Sequence, residues 1–330
     1  MSVSRPGMAE LPVEGVLPAF DGATGWLRSP PLTPEDLRGK VVLVEFWTYT
    51  CINWLRTLGH VRAWARRYRD HGLVVIGVHT PEFPFEGETA NVERAAAALD
   101  VDHPIVLDSR YAVWRAFDNH YWPAIYVADA EGRLRHHQFG EGGDERTETV
   151  VRHLLEEAGH ELPGADLTAV APVGLEVPAD WDHLESPETY LGAERTERFA
   201  SPGGVAMDRV RNYVLPEYLR RRHWALVGPW IVERRASVLD APQGRLVVRC
   251  QARDVHLVMA PRGAAVPFRV LLDGEPPGDA HGLDVDADGR GVLDEPRLYQ
   301  LIRVPGAVAD RVAEVVFHAP GVEAYVLTFG

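Results

Sequence analysis

Three features of the stretch between residues 45 and 123 could act together in one reaction. The first is Cys51 in EFWTYTCINW, where an apolar strand-like run ends at Phe46, a short loop follows, and a helix-like segment begins. A thiol at the start of a helix faces unpaired backbone N–H groups and the positive end of the helix dipole, and both favour the thiolate, which is the nucleophilic form. The second is Glu45, inside an otherwise apolar run, where an ionised carboxylate is costly to bury. Such a carboxyl is expected to have a raised pKa and to exchange a proton with the thiol, directly or through water. The third is Trp122-Pro123, just before the strand-like AIYVAD. A proline there interrupts pairing unless the bond sits at a turn, which a cis bond would supply. Each feature also has a plainer reading: Cys51 as an inert buried residue, Glu45 facing solvent from a strand edge, and Pro123 as an ordinary trans proline at a strand entry.

Elements that could position these residues follow from periodicity. Val41 to Phe46 reads as a buried strand, and the apolar residues Trp54, Leu55, Leu58, Val61, Trp64, Ala65 and Tyr68 recur at the spacing of an amphipathic helix. Leu73 to Thr80 reads as the next strand, Asn91 to Leu99 and Tyr111 to Phe117 as helices. Ala124 to Asp129 and Arg133 to Phe139 read as a hairpin around Glu131-Gly132, and Glu145 to Ala158 as a closing helix. The order β, α, β, α, β, β, α is that of an α/β domain. From 161 to 184 the chain is rich in Pro, Ala, Asp and Gly without a period, which predicts a linker. Beyond it, RLVVRCQA, DVHLVMA, FRVLLDG, LYQLIRV, AEVVFHA and AYVLTFG recur between Pro, Gly and Asp turns, the pattern of an all-β sandwich or jelly roll. The predicted organisation is therefore an α/β domain with an N-terminal extension over 1–160, a linker over 161–184 and a β-sandwich over 185–330.

Bulk properties limit the function classes. A chain of 330 residues favours two domains, and 46% hydrophobic with 25% charged residues is the composition of a soluble globular protein. The formal charge of −14 repels phosphate backbones and anionic membrane surfaces, so no nucleic-acid or membrane partner is expected. The short basic run Arg220, Arg221, Arg222, His223 reads as a solvated face. No basic segment followed by an apolar stretch opens MSVSRPGMAELPVEGVLPAF, so no secretory signal is read and the cytoplasm is the expected compartment. With two cysteines, Cys51 and Cys250, a disulfide-stapled fold is excluded.

The run Glu45-Phe46-Trp47 followed by Cys51 resembles a thioredoxin active-site approach. FWTYTCINW, GVHTPEFPFE, HYWPAIYV, QFGEG, SPETYLG and WALVGPW resemble the soluble part of DipZ-type thioredoxin-family proteins, related to the TlpA and ResA group. That resemblance implies a thioredoxin fold followed by a β-sandwich like that of a carbohydrate-binding module, with thiol-disulfide oxidoreductase chemistry. It implies roles for Cys51 as the attacking cysteine, Glu45 as the buried acid, and Pro123 as the cis proline that faces the nucleophile from its place after Trp122. One position departs from the pattern. The family reads Cys-Ile-Asn-Cys, and this chain reads Cys51-Ile52-Asn53-Trp54. In the dithiol cycle the second thiol resolves the mixed disulfide formed by the first, which an indole cannot do. Trp54 lies on the apolar stripe of its helix, so it reads either as a packing residue or as an aromatic platform for substrate.

The expected function is thus a one-cysteine thiol-disulfide oxidoreductase, its partners protein or low-molecular-weight thiols and disulfides, with an external thiol completing the cycle. Two other readings stand beside it. Thr48, three residues before Cys51, resembles the peroxiredoxin Thr-x-x-Cys pattern of a thiol peroxidase, although Val44 stands where that pattern needs proline. Alternatively the fold survives as a redox-inactive scaffold whose β-domain binds a protein or glycan, with Trp181, Tyr213, Trp224 and Trp230 as candidate sugar-stacking aromatics. Cys250 lies on a predicted strand, where it reads as a small buried hydrophobe or as an interdomain resolving thiol. Asp284, Asp286, Asp288 and Glu295 match the spacing of an EF-hand loop without its flanking helices, and Asp288-Gly289 is equally a turn signal. His136 and His137 are adjacent on a strand and point to opposite faces, while His79 ends a strand at the presumed active edge. No phosphate loop, nucleophile elbow or zinc spacing is present, so no cofactor or metal is expected.

Overall fold

In the computed structural model, which describes residues 11–330, the chain divides into two units, the first ending at Glu176 and the second comprising Val177–Gly330. The first holds strands β1 (Gly15–Val16), β2 (Gly25–Leu27), β3 (Val41–Trp47), β4 (Leu73–His79), β5 (Ile105–Leu107), β6 (Ala124–Ala128) and β7 (Arg133–Phe139). Its helices are α1 (Ile52–Tyr68), α2 (Thr89–Ala98), α3 (Ala112–Ala116) and α4 (Asp144–Glu157). The sheet order is β1-β7-β6-β3-β4-β5-β2, with β3, β4 and β5 parallel and β6 and β7 antiparallel. This is the expected thioredoxin fold. The expected elements recur within a residue or two, while the short strands β1, β2 and β5 carry too few residues to show a period in the sequence.

Strand β3 is buried along its whole length because both of its faces are covered. Val42, Val44 and Phe46 pack with Phe20, Val113 and Phe117 on one side, and Val41 and Leu43 pack with Val61, Trp64 and Tyr68 of α1 and Leu154 of α4 on the other. Alternation along the strand therefore sends Glu45 and Trp47 to the α1 side.

Residues 161–176, expected as part of a linker, are bound along α1. Arg67 donates to the carbonyls of Pro163 (3.0 Å) and Asp166 (2.7 Å), and Arg62 pairs with Glu176. Gly59 permits the close crossing, since a Cβ there would stand 2.8 Å from Glu176 Oε2 and 3.1 Å from Val170. The pivot of this strap is Glu148 on α4, a buried carboxylate that accepts Trp64 Nε1 (3.0 Å), the Tyr68 hydroxyl (2.5 Å), and both the backbone N–H (2.9 Å) and hydroxyl (2.6 Å) of Thr168. The chain changes allegiance beyond Glu176: Arg253 donates to the Pro178 carbonyl at 2.7 Å, and Glu185 N–H to that of Gln251 at 3.1 Å.

The second unit is an all-β sandwich of β8 (Thr189–Tyr190), β9 (Val210–Tyr213), β10 (Trp224–Val232), β11 (Ser237–Leu239), β12 (Gly244–Gln251), β13 (Asp254–Pro261), β14 (Val266–Leu272), β15 (Arg290–Leu293), β16 (Arg297–Arg303), β17 (Asp310–Phe317) and β18 (Val322–Phe329). Strand β10 pairs β12 through Trp224–Val227, then β9 and β11 beyond Gly228, and so belongs to both sheets. Leu246, Val248, Phe268 and Phe317 of one sheet meet Leu257, Met259, Tyr299 and Phe329 of the other in a single core.

Glu148 supplies the test of the strap. Burial alone raises its pKa, but the bonds from Thr168, Tyr68 and Trp64 outweigh burial and leave it below its ordinary value of 4.5. A depressed carboxyl contributes stability that is complete above the unfolded pKa and is lost as pH falls through the folded one. In urea unfolding at neutral pH, Glu148→Ala is expected to cost about 3 kcal/mol or more, and Glu148→Gln to flatten the acid limb of the stability profile.

Candidate functional site

Four residues separate the end of β3 from the start of α1, and the last of them, Cys51, is the helix N-cap, with extended backbone (φ −75°, ψ 111°). Its carbonyl accepts the N–H of Leu55 at 3.0 Å, and its own N–H donates to the Thr48 carbonyl at 3.1 Å. The thiol is not in a disulfide and is half-buried. Its Sγ lies 3.8 Å from the carbonyl oxygen of Trp122, and the Trp122-Pro123 bond is cis. Cys51 and the cis-proline loop are thus brought together as expected. The loop is held in turn by the Trp122 indole, which donates to the Thr80 carbonyl at 3.0 Å and packs on Trp114 with ring centroids 4.2 Å apart.

Glu45 behaves differently from expectation. It lies in the central strand with no exposed surface, so the solvent-edge reading fails. Its Oε2 accepts Trp54 Nε1 at 2.9 Å, and its Oε1 lies 3.0 Å from His103 Nε2. The carboxylate expected to trade a proton with the sulfur is instead engaged on both oxygens by an indole and an imidazole. Packing explains the exchange: the first turn of α1 lies over β3, and the side chain three residues after the N-cap points down at the sheet. Trp54 is wholly buried there, stacked on Trp47 with centroids 4.3 Å apart and planes at 22°. Of its two readings the packing one holds, since a ring with no exposed surface offers substrate no platform. The opposite residue on β4 is Gly77, where a Cβ would stand 2.7 Å from Trp47 Nε1 and 3.2 Å from His103 Nε2, so only glycine leaves space for this cluster.

His103 was missed in the sequence. It lies 58 residues from Glu45, just before β5, and no spacing rule links the two. His79 ends β4 as expected, buried edge-on against Trp47 (4.7 Å) and stacked on Tyr49 (5.7 Å). Burial pulls its pKa down to about 3, so it supports the site as a neutral packing ring and carries no proton near neutrality.

The sandwich contributes no second redox group. Cys250 faces its core, 3% exposed, and burial pushes the thiol up to about 12, which suits the small-hydrophobe reading and opposes the resolving one. Of the candidate sugar-stacking aromatics, Tyr213, Trp224 and Trp230 are core residues, their polar atoms bonded to Ala206, Glu197 and Val227 respectively, and Trp181 is exposed. In the acidic loop, Asp284 binds Arg297 at 2.7 Å and the Gln300 N–H at 2.7 Å, Asp286 accepts the Arg290 N–H at 2.8 Å, Asp288 pairs with Arg290, and Glu295 lies 3.5 Å from Arg297. Asp286 and Asp288 brace the turn into β15, and Asp284 and Glu295 hold to β16. Among the described residues, no three His, Cys, Asp or Glu side chains gather as a metal site, and no helix is long and apolar enough to cross a membrane. Arg221 and Arg222 of the basic run pair with Asp310 and Glu185 at the surface, and His136 is buried while its neighbour His137 is exposed.

Both units resemble known protein families. Residues 18–137 match the AhpC/TSA family, and residues 186–330 match the thioredoxin-like C-terminal domain family. Protein DipZ of Mycobacterium tuberculosis is 38% identical over 281 residues, which is 84% of this chain and 39% of DipZ, so the chain spans well under half of that relative. Thiol-disulfide oxidoreductase YkuV of Bacillus subtilis is 34% identical over 142 residues, which is 43% of this chain and 95% of YkuV. Among solved structures, the solution structure of a thioredoxin-like protein in the oxidized form is 33% identical, covers 46% of this chain and 99% of its own, and has a TM-score of 0.41.

The buried indole can be tested by replacing it. Trp54→Cys is expected to destabilise the protein by about 3–5 kcal/mol, through the cavity it opens and the Glu45 oxygen it leaves without a donor. Trp54→Phe, which keeps most of the volume and drops the N–H, is expected to cost about 1–3 kcal/mol, both read from denaturant midpoints.

Proposed function

Since the chain belongs to the thioredoxin-like thiol-disulfide oxidoreductases, we propose that it works through one cysteine, with Cys51 as the nucleophile and an external thiol in the resolving role. The Cys51 thiolate attacks one sulfur of a disulfide R–S–S–R′, forming a Cys51–S–S–R mixed disulfide and releasing R′S⁻. A second thiol R″SH, deprotonated, then attacks the R sulfur, which releases R–S–S–R″ and returns the Cys51 thiolate. Electrons balance in each step, and no second protein cysteine is used.

The observation that carries this reading is the contrast between the two ends of the Cys51–Trp54 turn. Cys51 is half-buried at the positive end of a helix, beside the Trp122 carbonyl, whereas Trp54 is sealed beneath it. Trp122 and Pro123 form the wall against which a bound disulfide would lie. Glu45 and Trp54 act through the scaffold, holding the first turn of α1 on the sheet. The partners that suit this chemistry are protein disulfides and low-molecular-weight thiols, and a cytoplasmic compartment, rich in small thiols, would supply the resolving one.

The test is intact mass spectrometry after acid trapping, with turnover of a mixed-disulfide substrate followed in the presence of glutathione. A single adduct on Cys51, an unmodified Cys250 and loss of turnover to background in Cys51→Ser are the expected results. A wild-type Cys51 that takes no adduct and gives no rate above Cys51→Ser would overturn the reading in favour of a non-catalytic binding protein.

A further inference from the structure

Glu86 is a fully buried carboxyl that the chemistry at Cys51 leaves unused. It lies in the loop between β4 and α2, at the third position of a short 3-10 helix, Pro84–Gly87. Its Oε2 accepts the backbone N–H groups of Glu82 at 2.7 Å and Phe83 at 2.8 Å within that loop. Its Oε1 reaches across to the β3–α1 loop and accepts the hydroxyl of Thr50 at 2.5 Å. Thr50 is buried and directly precedes Cys51. Ring contacts join the same two loops, Tyr49 standing 6.2 Å from Phe85. Thr80, at the start of the second loop, receives the Trp122 indole N–H. One carboxyl therefore staples the loop that ends in the nucleophile to the loop that supports the cis-proline wall.

We propose that Glu86 is a positioning residue for Cys51: through Thr50 it fixes the backbone that presents the sulfur, and its charge sets how readily that sulfur ionises. The assignment rests on the one-cysteine reading. Burial drives the Glu86 pKa up to about 7 against the lowering effect of bonds from Thr50 and Phe83, and the Glu82 carboxylate adds to the rise. His79, packed on Tyr49 from β4, is neutral and adds no charge. Glu86 therefore changes charge around neutrality. Ionised, it adds a negative charge bonded to the residue next to Cys51 and disfavours the thiolate; protonated, it can donate to Thr50 and keep the staple without the charge.

The experiment is the rate of Cys51 alkylation by iodoacetamide across about pH 4 to 10, in wild type, Glu86→Gln, Thr50→Val and Thr50→Ser, with folding checked by near-UV circular dichroism. Cys250 is sealed and does not contribute to the rate. Glu86→Gln is expected to move the alkylation midpoint down by about one pH unit, a tenfold change in thiol acidity. Thr50→Val is expected to slow the fully ionised thiol about tenfold by loosening its orientation, and Thr50→Ser, which keeps the hydroxyl, to restore the rate. Should Glu86→Gln fail to fold, the Thr50 pair decides. Profiles of Glu86→Gln and Thr50→Val that coincide with a reactive wild type overturn the Glu86 assignment alone. A wild-type Cys51 inert at every pH overturns both this assignment and the one-cysteine reading.

Discussion

The hydrogen bond from the Trp54 indole to the Glu45 carboxylate ties the first turn of α1 to the central strand, and the placement of Cys51 depends on that tie. A carboxylate in the middle of a strand covered on both faces must find donors or be expelled. It finds two, one from α1 and one from His103 at the entry to β5. Hydrogen bonds to a charged group contribute roughly 1.5–3 kcal/mol each, enough to hold three elements in register at the sheet edge where the thiol emerges.

This arrangement changes what the residue at position 54 means. A thiol there would serve the reaction; the indole serves the scaffold, filling space against Trp47 and occupying a Glu45 oxygen. The sulfur of Cys51 then stands at the start of a 17-residue helix, 3.8 Å from the carbonyl oxygen of Trp122. Backbone dipoles can favour a thiolate, but they cannot resolve a mixed disulfide, and for this reason the proposed cycle draws its resolving thiol from outside.

The β-sandwich follows its own logic. Its large aromatics fill the core, its acidic loop is braced by Arg290 and Arg297, and its cysteine is closed in hydrocarbon. The strap that precedes it belongs to the first unit, held on α1 and α4 through Glu148, Arg62 and Arg67. Residues without periodicity can be well ordered when a helix offers them cations and a glycine to cross, and composition alone reads such a segment as loose.

What the sequence determined by itself were the features that depend on neighbours along the chain. The strand ending at Phe46, the helix after Cys51, the turn at Pro123 and the repeating strands beyond residue 185 follow from period and turn chemistry, because each involves residues a few positions apart. That position 54 carries an indole and not a thiol was equally plain, since it is a matter of residue identity. Only the tertiary structure decided who bonds to whom across the sheet. Glu45 with His103, Glu86 with Thr50, and the burial of Tyr213, Trp224 and Trp230 rather than their display, all join or cover residues that the chain keeps far apart. A buried polar group takes the donor that packing brings to it, and packing is set by the whole fold.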